Sequence, residues 1–180
     1  MTAVQKPLLN LGSQDNKSQD LELIHFSNNV HRIKTSRKDC QGLLYKTNTQ
    51  EGVIIEEIYK ALAANDKNAY MVQMLSHNTK DATIIMKEIP GSSVDKFVQR
   101  ISKPIDWPTF GKMAYTLLHT VSSIHDCGFA HRDIKPDNVI VSGNELVLVD
   151  FEFAKSIDKY GTALTNASCS VPGTLVSCAP

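Results

Sequence analysis

No stretch of this sequence approaches the roughly 20 consecutive apolar residues that span a bilayer, and its first residues lack the charged-then-apolar order of a secretory signal. A soluble protein with no membrane partner is expected. Cysteine is scarce: Cys40, Cys127, Cys169 and Cys178 stand far apart, with no C-x-x-C pair and no histidines at metal-ligand spacing. Neither a zinc module nor a disulfide framework is suggested, and a reducing compartment suits four such thiols. Net charge is missing as well, because 19 basic residues balance 19 acidic ones. Without an overall field, no nucleic acid is expected as a partner, and recognition must be local. Apolar material is also thin at the start. Beyond Leu8, Leu9 and Leu11, residues 1–20 are rich in Ser, Gln, Asn and Asp, the composition of a flexible segment.

What is present is an ordinary globular composition, 42% hydrophobic and 21% charged over 180 residues, enough for one compact domain or two lobes. From Leu21 three short alternating runs follow one another, LELIHF, VHRIKTSR and GLLYKTN, with Asn28-Asn29 and Asp39 to Gly42 as turns; they predict antiparallel strands. VIIEEIYKALAA then carries Ile54, Ile55, Ile58 and Leu62 at helical spacing. Two more strand-like runs, AYMVQML and ATIIMKEI, lead to Pro90-Gly91. Beyond it a short helix carries Val94, Phe97, Val98 and Ile101. A stronger helix from Asp106 to about Asp126 shows a stripe of Phe110, Met113, Leu117, Leu118, Val121 and Ile124, with Gly128 placed as a left-handed cap. NVIV-SGNE-LVLV reads as a hairpin, and the last thirty residues as a long loop. The fold class is α+β: a sheet-rich block with one helix over residues 21–89, then a mainly helical block over 90–180.

Chemistry concentrates in HRDIKPDN at 131–138 and in Asp150-Phe151 after the hairpin. Phosphoryl transfer needs a carboxylate to orient an attacking hydroxyl and take its proton, and oxygen ligands for Mg²⁺ beside a triphosphate. The hairpin through Ser142-Gly143-Asn144 brings Asn138 and Asp150 to one end, as a shared metal site requires. Lys135, two residues past Asp133, can reach the transferring phosphoryl and neutralise its charge.

These motifs, in this order and at a hairpin's separation, resemble the protein-kinase superfamily. The resemblance implies a minimal bilobal kinase-like fold, with an antiparallel N-lobe and a truncated C-lobe. It makes Asp133 the catalytic base, Asn138 and Asp150 the metal ligands, and Lys135 the γ-phosphate contact. It puts Lys46 in the place of the lysine that holds the α- and β-phosphates. The partner of Lys46 on the following helix is then Glu57, with Glu56 as the alternative. Val30 resembles the valine that roofs adenine, Met86 the gatekeeper, and Lys87, Glu88 and Ile89 the hinge. Ser27, Asn28 and Asn29 stand where a glycine-rich loop covers phosphates, without any glycine. ATP with Mg²⁺, or Mn²⁺ in its place, is the implied cofactor set.

Two further departures are plain. Glu152 stands where kinases place a glycine, which predicts a restricted loop and an added negative charge. GTLVSCAP at 173–180 resembles the end of an activation segment, from which either a fragment or a minimal kinase class is expected. Pared-down kinases of this layout resemble bacterial type III effectors, virulence proteins injected into host cytoplasm, and one such family inactivates the host ninety-kilodalton heat-shock chaperone. The resulting expectation is an ATP-dependent protein serine/threonine kinase acting on a host protein, with Thr162, Thr165, Ser168, Ser170 and Thr174 as self-phosphorylation candidates. The alternative is a nucleotide-binding pseudokinase that serves as an interaction module.

Overall fold

The computed structural model describes residues 21–157. The expectations for residues 1–20, for the candidate acceptors from Thr162 to Thr174 and for GTLVSCAP lie outside them. The chain divides into two compact units, one drawn from Met1–Gly52 and Gln73–Glu88, the other from Val53–Val72 and Ile89–Pro180. A boundary at residue 89 alone therefore misses one exchange, since residues 53–72 group with the second unit.

The first unit is a five-stranded antiparallel sheet in the order β1-β2-β3-β5-β4, from β1 (Glu22–Ser27), β2 (Val30–Lys34), β3 (Leu43–Lys46), β4 (Met74–Asn78) and β5 (Thr83–Lys87). Asn28 takes a φ of 38° in the two-residue turn that joins β1 to β2, a conformation asparagine tolerates better than most residues. Ile33, Cys40, Leu43 and Ile85 form a small buried cluster with Tyr45, Leu75 and Leu21 packed against it. Alternation puts the other set on the opposite face. There Val30, Lys46 and Ile84 lie in one row across β2, β3 and β5, while Arg32, Leu44 and Met86 form the next.

The second unit carries the body of α1 (Glu51–Ala64), with α2 (Val94–Arg100), α3 (Trp107–Asp126) and short strands β6 (Ser92–Ser93), β7 (Phe129–Ala130), β8 (Val139–Ser142), β9 (Glu145–Leu148) and β10 (Lys155–Ser156). Helix α3 begins as its sequence dictates: the Asp106 side chain accepts from the Thr109 amide at 2.9 Å, and Pro108 occupies the first turn. It ends at Gly128, whose φ of 82° suits a residue without Cβ.

The buried stripe of α3 differs from the apolar pattern. Met113, Thr116, Thr120, Ser123 and Ile124 face inward, whereas Phe110 and Leu118 are 51% and 69% exposed. Hydroxyls sit inside because they hold neighbouring backbone. Thr116 Oγ1 donates to the Met113 carbonyl and accepts from the Leu146 amide at 2.9 Å; Thr120 Oγ1 donates to the Thr116 carbonyl and accepts from the Tyr70 amide at 2.8 Å. The run AYMVQML is split for the same reason. Tyr70 and Val72 exchange backbone hydrogen bonds with Leu148, and only Met74 onward joins the first sheet as β4.

Thr116→Val, which keeps shape but leaves the Leu146 amide without its acceptor, is expected to cost about 1–3 kcal/mol. Leu118→Ser on the exposed face should change stability by less than about 0.5 kcal/mol. Urea unfolding midpoints of the two variants check both.

Candidate active site

Asp133 is 2% exposed, and a carboxylate so buried requires charged or hydrogen-bonding compensation. Two side chains provide it at the same oxygen. Asn138 Nδ2 donates to Asp133 Oδ2 at 2.8 Å and also to the Asp133 carbonyl at 3.0 Å, and Lys135 Nζ lies 2.8 Å from Oδ2. Because both converge on Oδ2, they fix the plane of the carboxylate and thus the direction of Oδ1. The bond to Asp133 is the first cause that raises the Lys135 pKa above its ordinary value, so this ammonium stays charged.

The loop is held from beneath by His131. Its Nε2 lies 3.0 Å from the Val149 carbonyl, which can only accept, so the ring proton belongs on Nε2; Nδ1 then accepts the Asp133 amide at 3.3 Å. The ring of Phe151, fully buried, packs edge-on against His131 with centroids 4.6 Å apart. Burial, the largest influence, pushes the His131 pKa below its usual 6.5, which favours the neutral ring this bonding pattern needs.

Hairpin β8–β9 pairs Val139 with Leu148 through Ser142 with Glu145, turning at Gly143. The Val149 amide donates to the Asn138 carbonyl at 3.0 Å, so Asn138 and Asp150 flank the open end of this hairpin. With Nδ2 committed to Asp133, Asn138 presents Oδ1; Asp150 presents carboxylate oxygens. Hard oxygen donors of this kind fit Mg²⁺, which takes one or two protein oxygens and completes its shell with water and phosphate. Among the described residues there is no cluster of three or more His, Cys, Asp or Glu built to cage a metal by themselves. Arg132 and Asp150 hold φ values of 69° and 66°, costly for residues with a Cβ and typical of functional loops. Glu152, by contrast, is not among the positive-φ residues, and it is exposed in the turn closed by the Ala154 amide on the Phe151 carbonyl. The backbone here therefore does not demand the conformation that favours glycine.

In the first unit, Lys46 Nζ lies 2.8 Å from Glu51 Oε1, with the two residues 6% and 4% exposed. The glutamate paired with Lys46 is therefore Glu51 and not Glu57, which is exposed on α1, nor Glu56, which pairs with Lys60 one turn on. The expectation failed because α1 starts at Glu51, two residues ahead of its apolar pattern. Val30, directly across from Lys46, and Met86, in the neighbouring row, share its face of the sheet. The hinge reading is narrowed. The amides of Lys87 and Glu88 already donate to the carbonyls of Gln73 and Gly42, at 2.9 and 2.7 Å, so neither N–H serves a base; the Glu88 side chain is forked by Arg32. Ile89 belongs to the second unit. Ser27 pairs with Val30 to close a tight turn, and Asn29 is tied to Thr47, just beyond Lys46, through the Thr47 amide at 3.0 Å.

The protein kinase domain family model matches residues 25–180. Mitogen-activated protein kinase kinase kinase 19 of Mus musculus is 32% identical over 102 residues, 56% of this chain and 8% of that protein. Probable serine/threonine-protein kinase PkwA of Thermomonospora curvata is 32% identical over 92 residues, 51% of this chain and 12% of that protein. Serine/threonine-protein kinase ppk34 of Schizosaccharomyces pombe is 32% identical over 94 residues, 51% of this chain and 27% of that protein. The chain thus spans well under a third of these relatives' length.

Because the folded-state pKa of His131 is depressed, the folded protein binds fewer protons there than the unfolded chain does. The stability of the neutral ring is full above about pH 6.5 and is lost as the pH falls below it. Melting temperatures followed from pH 7.5 to 5 should fall in the wild type and fall less in His131→Gln; equal slopes would contradict this assignment.

Proposed function

Since this chain belongs to the protein kinase domain family, we propose that it is an ATP-dependent protein serine/threonine kinase with Asp133 as its base. The observation that carries this is the buried Asp133 carboxylate with Asn138 and Lys135 both on Oδ2. Asp133 orients the substrate hydroxyl and takes its proton as the hydroxyl oxygen bonds to the γ-phosphorus and the bond from that phosphorus to the ADP oxygen breaks. Lys135, charged at neutral pH, offsets the negative charge on the transferring group. Asn138 and Asp150 would hold Mg²⁺, which when bound would draw charge from the phosphate oxygens. Lys46, kept in place by Glu51, holds the α- and β-phosphates, and Val30 and Met86 line the apolar wall for the base. Serine or threonine as the acceptor is favoured by Lys135, the residue that protein kinases of that specificity carry at this place. Two of these relatives, PkwA and ppk34, are named as serine/threonine-protein kinases.

The finer reading is a secreted bacterial effector that acts on a host protein, with the ninety-kilodalton heat-shock chaperone as the first substrate to try. Its support is the glycine-free turn at Asn28-Asn29 and the polar first twenty residues. The competing reading is a nucleotide-binding pseudokinase; Glu152, one part of its case, does not hold a positive φ.

Purified protein with labelled ATP and Mg²⁺ or Mn²⁺ tests both, with a generic acceptor protein, the purified chaperone and host lysate as substrates. Asp133→Asn should lower turnover by roughly 10²-fold or more. Glu51→Gln should lower kcat/KM about tenfold or more through loss of a charged hydrogen bond, whereas Glu57→Gln should stay within about twofold. Wild-type incorporation no higher than that of Asp133→Asn would refute the enzyme reading. Transfer to the generic acceptor without transfer to the chaperone would refute only the named substrate.

A further inference from the structure

Glu51 is the first residue of α1 and Lys46 the last of β3, so four residues must turn the chain and return a carboxylate to the strand it has just left. Three contacts shape that turn. Asn48 takes a φ of 54°, the Thr49 amide donates to the Ala82 carbonyl at 2.9 Å, and the Glu51 amide donates to Thr49 Oγ1 at 3.2 Å. The next residue, Gly52, is the tightest point. A Cβ there would lie 2.5 Å from His77 Cβ, 2.8 Å from His77 Cγ and 2.8 Å from Ile84 Cγ2. His77 and Ile84 are cross-strand partners, and Ile84 is also the partner of Lys46. Gly52 therefore lies on the same row of the sheet that carries Lys46. Its φ is not positive, so glycine is required for room and not for backbone freedom.

We propose that Gly52 is a positioning residue for the transfer reaction: its missing side chain lets the first turn of α1 lie on the His77–Ile84 pair, and this puts the Glu51 carboxylate on Lys46. The assignment rests on the kinase reading above. A Cβ at Gly52 must back off by about an ångström to reach ordinary contact, enough to break a 2.8 Å ion pair one residue away. Every participant belongs to the first unit, whose share of α1 ends at Gly52. The Lys46–Glu51 pair is thus a local construction of β3, its turn and the β4–β5 hairpin.

A double-mutant cycle on the full chain tests this, with Gly52→Ala, Glu51→Gln and the two combined, scored by kcat and KM for ATP and by the Kd of a fluorescent ATP analogue. Gly52→Ala is expected to lower kcat/KM about tenfold, with the same division between kcat and KM as Glu51→Gln. The combined variant should lie within twofold of Glu51→Gln, because the added methyl acts only through the carboxylate. Losses that multiply, or a Gly52→Ala protein with wild-type constants, would overturn the assignment. The Kd arm separates this from the parent reading: a wild type that binds the analogue and transfers nothing refutes the kinase proposal while leaving the coupling measurable. Should Gly52→Ala not fold, the cycle is run with His77→Gly added, which removes two of the three atoms nearest the new Cβ. Coupling in that background supports the assignment, and multiplying losses overturn it.

Discussion

A carboxylate withdrawn from water is the constraint around which the second unit is organised. Asp133 would be intolerable at 2% exposure without the Asn138 amide and the Lys135 ammonium on its Oδ2. Each of these partners has to be delivered by something else. Asn138 is placed by hairpin β8–β9, the hairpin is pinned to α3 through Thr116, and the adjoining Leu148 is pinned to Tyr70 and Val72. His131 closes the arrangement, with one ring nitrogen on each side of the hairpin-to-loop junction and Phe151 packed against its face. The polar residues buried in this unit are therefore not exceptions to a hydrophobic core. They are the couplings through which the core fixes the Asp133 carboxylate.

The first unit solves a smaller problem by local means. Lys46 is buried on a sheet whose row also holds Val30 and Ile84, and Glu51 compensates its charge from the very start of α1. The helix N-terminus itself favours an acidic side chain, so position and charge agree. Asn28 and Asn29 replace glycine by different routes, one by accepting a positive φ, the other by bonding across to Thr47. A short turn tied to the strand of Lys46 results.

Much of this was legible because the residues involved obey local rules. HRDIKPDN and Asp150-Phe151 stood out by composition and spacing, the Ser-Gly-Asn turn marked the hairpin, and Asp106 and Gly128 marked the ends of α3. What escaped depended on tertiary partners. Glu51 was hidden because it precedes the apolar pattern of α1, and the space left at Gly52 is visible only against His77 and Ile84. Thr116 and Thr120 fell outside an apolar stripe because their worth lies in backbone amides 30 and 50 residues away. The engaged amides of Lys87 and Glu88 follow from strand register, which alternation alone does not supply. That the backbone at Glu152 does not take a glycine-type positive φ could not be read from its place in the motif.

The short span from Lys46 to Glu51 also bears on how the protein reaches its native state. Closing a loop costs entropy that grows with its length, by about 0.6 kcal/mol for each doubling. A partner at Glu57 would have more than doubled the span. With the partner at Glu51, the pair itself closes only a short loop and adds little contact order, while the long-range part of its placement is the seat of Gly52 on the β4–β5 hairpin. The Lys46–Glu51 pair thus adds one short loop to what the β4–β5 hairpin supplies, whereas the Asp133 cluster draws on hairpin β8–β9, α3 and His131 together.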